Sequence, residues 1–198
     1  SVASGWNRIE FGEKPRASSI STGVDNIAVW VCTVPDGTFS PDGPAIASWA
    51  DQRVTPWFAS MSSNRYTPQF TYVGSFASAN TGSATEQMED CRSEAAKRTG
   101  APYTNTMAVT THSLHGGVGG TGLATDLTQP PSTTGRAFVV GGPIAAQDND
   151  WLVGHELGHT LGWPHYYTGP SVYDSPFDVM SGNKTTCSSC TFVHTIAM

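Results

Sequence analysis

The segment His155-Glu156-Leu157-Gly158-His159-Thr160-Leu161-Gly162-Trp163-Pro164-His165 places three imidazoles and one carboxylate within a short length of chain. At about 100° per residue, a helix sets His155 and His159 about 40° apart and one turn up, so both rings reach towards one point. Glu156 lies about 100° round from His155, within reach of a water held at that point without being a ligand. Val153, Leu157, Thr160 and Leu161 fall on the opposite side, where they can anchor the helix in a core. Gly154 and Gly158 leave one flank bare enough for another backbone to come close. Gly162 can adopt the left-handed conformation that ends helices, and Pro164 forbids their continuation. The chain can then turn back and present His165 to the same point. Three neutral imidazoles with an open fourth position describe a catalytic zinc site, whereas a structural zinc has a closed shell that usually includes thiolates. Such an ion brings the pKa of a bound water to ~7 and polarises a carbonyl, while Glu156 takes and returns the proton.

Upstream, Ile27-Ala28-Val29-Trp30-Val31-Cys32-Thr33-Val34 is a nearly continuous apolar run and reads as a buried strand, with residues 1–26 polar and irregular before it. From about 44 to 62, Ile46, Trp49, Ala50, Val54, Trp57, Phe58 and Met61 recur at helical steps, with a kink or break expected at Pro56. Residues 70–76 read as a second strand. Residues 85–98 read as a second helix, capped by Thr85, acidic early, basic late and stopped by Gly100. Residues 104–111 and 136–140 read as further strands, and the glycine-laden stretch 115–124 as a short, bulged edge strand. Strands alternating with helices, without a repeat period, imply one α/β or α+β domain with a mixed sheet.

The chain has 198 residues, a formal net charge of −6 and 38% hydrophobic residues, enough for one domain with a real core. With only three lysines (Lys14, Lys97 and Lys184) it has no basic patch to neutralise phosphates, so nucleic-acid binding is not expected. No apolar run is long enough to span a membrane. The chain begins at Ser1 with neither initiator Met nor leader, as an already processed protein would, and few lysines with four cysteines suit a secreted, extracellular protein. Cys32, Cys91, Cys187 and Cys190 allow three pairings, of which Cys32–Cys91 with Cys187–Cys190 is preferred. Asn183-Lys184-Thr185 matches a glycosylation sequon.

His155 to His165 matches every fixed position of the long zinc signature H-E-x-x-H-x-x-G-x-x-H, and so resembles the metzincin clan of zinc metallopeptidases. Asp178-Val179-Met180-Ser181-Gly182, 15 residues on from His165 to Met180, resembles the clan's Met-turn. The resemblance covers roughly residues 27–182. It implies a mixed, twisted five-stranded sheet with an antiparallel edge strand, packed helices, a zinc-binding active-site helix and a small C-terminal subdomain. Residues 1–198 would form a single catalytic domain, with an upper subdomain of about 1–162 and a lower one of about 163–198. One catalytic zinc would be held by His155, His159 and His165, with Glu156 as general base and Met180 as hydrophobic floor. The edge strand would bind an extended peptide by main-chain hydrogen bonds at Gly117, Val118, Gly119 and Gly120, with Tyr166 beside the pocket.

Gly182 stands where the astacin and serralysin branches carry a liganding tyrosine, and the Asp-Val-Met stretch is closer to gametolysin-like members. The chain ends 18 residues after Met180, where the clan continues through a C-terminal helix, so Met198 is expected to be a cleavage or expression boundary, with that helix lost or on a separate fragment. Asp148 and Asp150 have the chemistry of calcium ligands, yet aspartate at a helix start is explained by capping, and nothing supports a structural calcium. His115, at the head of the edge strand, is a secondary candidate for substrate contact. The expected activity is that of a secreted zinc endopeptidase acting on extended peptide or protein. Two rivals use the same residues: a zinc hydrolase of another amide or ester, and a non-catalytic secreted binding module with a vestigial site. Glu156 weighs against the last, since a site needing only metal has no use for it.

Overall fold

A computed structural model of the chain describes residues 22–112, 123–124, 136–141, 150–161 and 180. Strand β1 (Gly23–Thr33) is flanked by two parallel neighbours. β2 (Tyr66–Ala77) pairs on one side and β3 (Asn105–Thr110) on the other. Two residues, Leu123–Ala124 (β4), run antiparallel beside β5 (Arg136–Val140), which is itself the fourth parallel strand, beyond β3. The order across the sheet is β2-β1-β3-β5-β4. The rest of the expected edge strand, Gly117, Val118, Gly119 and Gly120 included, lies outside the described residues, as does the expected C-terminal subdomain.

The inner parallel strands β1, β3 and β5 are buried on both faces over most of their length, which is why they are mainly apolar rather than alternating, whereas β2, at the edge of the sheet, is exposed or half-buried at many positions. On one face Ile27, Val29, Phe70, Met107, Val109, Phe138 and Val140 pack with helices α1 (Gly43–Met61) and α3 (Asp150–Thr160). On the other, Cys32, Ala108 and Val139 meet Met88, Cys91 and Ala95 of α2 (Ala84–Arg98). Cys32 and Cys91 form a disulfide that ties β1 to α2, as the preferred pairing has it. Cys187 and Cys190 lie outside the described residues.

Several boundaries differ from the sequence expectation, each for a visible reason. β1 starts at Gly23, so Val24, Asp25 and Asn26 belong to the ladder and not to an irregular lead-in. Parallel pairing of Gly23 with Tyr66 extends both strands past their apolar runs. α1 continues through Pro56. Pro56 and Gln52 are both exposed, so the Gln52 carbonyl, deprived of an N–H by the ring, can face water. α2 is capped by Ser83, not Thr85. Ser83 Oγ accepts from the Glu86 N–H, while Glu86 Oε2 accepts from the Ser83 N–H at 2.7 Å and from the Ser83 hydroxyl at 2.7 Å. Those bonds hold the Glu86 carboxyl below the ordinary range. At Trp30 the β1–β2 register slips by one residue, leaving Val73 bulged, and Gly74 takes φ +149°, a conformation that side chains rarely adopt.

Candidate functional site

α3 follows β5 and returns across the sheet face that carries α1. Leu152, Val153, Leu157 and Leu161 join the core, so the face opposite the histidines is anchored as its sequence requires. The burial runs further round than an amphipathic helix needs: Gly154, His155, Glu156 and Gly158 are buried as well. Leu161 N–H bonds both Leu157 O at 3.2 Å and Gly158 O at 2.9 Å, tightening the last turn as the helix ends at Thr160.

His155 and His159 are brought together as their spacing demands. Their Nε2 atoms lie 3.2 Å apart and their rings cross at 88°. Two nitrogens bound to one tetrahedral zinc at ~2.0–2.1 Å would be separated by roughly 3.3–3.4 Å. The observed spacing therefore suits a shared ion. Trp151 packs edge-on against His155, with centroids 6.3 Å apart. His159 sits in the last turn, where the helix carbonyls concentrate partial negative charge and favour a cation. Glu156, on the same turn, is 3% exposed, and a carboxylate is buried at high cost unless it is paired or hydrogen-bonded.

The remaining expected site residues are less completely placed. Met180 is fully buried. His165 and Tyr166 lie outside the described residues. Among the described residues, no group of three or more His, Cys, Asp or Glu side chains is arranged to hold a metal.

Beyond the last turn of α3 lies a polar cluster that the sequence reading missed. Asp25, Tyr66, Asn105 and Arg136 stand at or near the heads of the four parallel strands, and all four are buried. Asp25 Oδ1 accepts from the Thr104 hydroxyl at 2.7 Å and from Arg136 Nη2. Its Oδ2 accepts from the Tyr66 hydroxyl at 2.6 Å and from Asn105 Nδ2 at 3.3 Å. Asn105 Nδ2 also donates to the Thr160 hydroxyl of α3 at 3.0 Å. Burial, reinforced by the Asp25 carboxylate, pushes the Tyr66 phenol well above its ordinary range. The sequence offers only a partial signal, opposite charges near the starts of two largely apolar strands, Asp25 and Arg136, which parallel register must bring together before it can be read.

Among the described residues no helix is long and apolar enough to cross a membrane. The Cys32–Cys91 bond points to an oxidising environment.

No protein-family model and no curated protein matches the chain. Solved structures do align with it, among them the following three. Archaemetzincin from Methanopyrus kandleri is 14% identical over 81% of this chain and 82% of its own, with a TM-score of 0.44. A structure described as a chaperone–substrate complex is 18% identical over 81% of this chain and 28% of its own, with a TM-score of 0.47. Metalloproteinase-II from Bacteroides fragilis is 16% identical over 82% of this chain and 48% of its own, with a TM-score of 0.44. All three scores lie below 0.5, too low for these alignments to assign chemistry to individual residues of this chain.

Proposed function

We propose that the protein is a secreted zinc-dependent endopeptidase of metzincin type, with an Asp-Val-Met stretch that resembles gametolysin-like and other secreted members. The observation that carries this is the convergence of His155 and His159 Nε2 to 3.2 Å on a helix that also buries Glu156. On this reading His165, six residues on from His159 in the sequence, supplies the third imidazole and Met180 the apolar floor. When bound, zinc supplies an acidified water and a Lewis acid for the scissile carbonyl.

The chain's own residues do the rest. Glu156, rigid on α3, accepts the proton released as water attacks the peptide carbonyl and delivers it to the leaving amine. His155 and His159 are held by the core contacts of Leu152, Val153, Leu157 and Leu161, so the ligands need little reorganisation. Gly117, Val118, Gly119 and Gly120 form the strand that takes an extended peptide by main-chain hydrogen bonds, with Tyr166 at the neighbouring pocket. Secretion accords with the Cys32–Cys91 bond. The buried Glu156 favours this reading over a binding module.

Replacing Glu156 separates holding metal from using it. Glu156→Ala is expected to retain one zinc per chain by elemental analysis. Its cleavage of a quenched peptide library should fall by about 10²–10⁴-fold in kcat, the usual worth of a general base. Near-normal turnover would remove Glu156 from the chemistry.

A further inference from the structure

We infer, on the basis of the zinc site proposed for α3, that Asn105 is a positioning residue for the metal-binding end of that helix. It carries the rigidity of the Asp25–Arg136 ion pair through the Thr160 hydroxyl to His159.

α3 is too weak a helix to hold its own last turn. It has 11 residues, two of them glycine, with Trp, Val, His and Thr making up much of the remainder. Helices shorter than about 12–15 residues are marginal alone even when rich in alanine, and these residues are poorer helix formers. A ligand set tolerates displacement of only about 0.5 Å. Something outside the helix must therefore fix the turn that carries His159. Thr160, the next residue, is fully buried and bonded in two directions: its hydroxyl donates to Leu157 O at 2.8 Å and accepts from Asn105 Nδ2 at 3.0 Å.

The Asn105 amide has a single orientation available. Its Oδ1 accepts from the Thr106 N–H at 2.8 Å, and its Nδ2 donates to Asp25 and to Thr160. Asp25 is clamped in turn by donors from Tyr66, Thr104 and Arg136, so β1, β2 and β5 converge with β3 on one fully buried carboxylate. Stability is a poor reason for such an arrangement, because the desolvation of a buried ion pair can exceed its attraction. Arg136 makes the point: its Nε and Nη1 are buried without hydrogen-bond partners among the described residues. What the cluster does provide is direction, since each donor and acceptor fits one geometry, and that geometry ends one residue from His159.

Cobalt(II) in the full-length, disulfide-intact protein tests this, read by chelator competition and by the visible d–d spectrum. Thr160→Val keeps the shape but removes the hydroxyl, Asn105→Ala removes the amide, and Thr160→Ser restores the hydroxyl. Ser83→Ala, at the cap of α2 across the sheet, provides a comparable loss of Tm remote from α3. Thr160→Val and Asn105→Ala are expected to bind cobalt about tenfold more weakly, the lower range for losing a group that orients a ligand, with an altered spectrum. Thr160→Ser and Ser83→Ala should match wild type in both readouts. Wild-type affinity and spectrum in Thr160→Val and Asn105→Ala, beside a lowered Tm, would reduce the cluster to a structural role and overturn the inference. A wild-type protein that binds no cobalt would instead reject the metal site itself, and the inference with it.

Discussion

Tyr66 is fully buried with its hydroxyl on Asp25, 2.6 Å away, and this makes one phenol a reporter of folding at high pH. Burial and the neighbouring carboxylate raise its pKa well above 10.0 in the folded chain, whereas the unfolded chain ionises it near the ordinary value. Above about pH 10 the unfolded state thus binds fewer protons than the native one, so stability is lost as pH rises, by up to about 1.4 kcal/mol per pH unit. Tyr66→Phe is expected to cost about 1.5–3 kcal/mol near pH 8, the worth of a hydrogen bond to a charged group. It should also flatten the fall between pH 10 and the folded pKa. Urea unfolding at a series of pH values measures both, and an alkaline fall parallel to that of wild type would contradict the assignment. Glu156 and the two histidines of α3 belong instead to the proposed metal site, and the Glu156→Ala variant tests their part in it.

At the scale of elements, the sheet keeps two loads on separate faces. α2 is bound to β1 by the Cys32–Cys91 bridge across 59 residues of chain, while α3 and its histidines lie on the far side. Loop-closure entropy for that span is worth about 4 kcal/mol, so the Cys32→Ala, Cys91→Ala double variant should lose roughly that amount in urea unfolding. Its zinc content after refolding should match wild type. A loss under about 1 kcal/mol would show that the bridge does not constrain the unfolded chain in this way.

The elements also show what was legible in the sequence. Arg136–Val140 and the helix from Asp150 were readable because apolar residues and their terminators coincide there. The head of β1 was not: Asp25 and Asn26 read as loop on their own, and only parallel pairing with Pro68 and Gln69 of β2, far along the chain, makes them strand. Ser83 was legible as a cap, since it stands three residues before Glu86 at the spacing of a capping box, and reading Thr85 instead overlooked that pair. In the site, His155, Glu156 and His159 were legible since helical spacing alone converges them. The Asp25–Arg136 cluster was not, because its members are far apart in the chain and meet only through parallel register.

At the scale of the molecule, the described residues set four parallel strands and two helices around a third, short, weak helix, with two imidazoles 3.2 Å apart towards its end. The acidic, lysine-poor composition that argued against nucleic acid is compatible with a protein working outside the cell, and the buried disulfide agrees with that setting. The proposed function stands or falls on whether peptide hydrolysis depends on zinc at His155, His159 and His165. Cleavage of a quenched-fluorescent peptide library before and after 1,10-phenanthroline, followed by restoration of zinc, decides it. Cleavage should disappear with the chelator and return with the metal; cleavage that persists undiminished after chelation would refute the zinc mechanism.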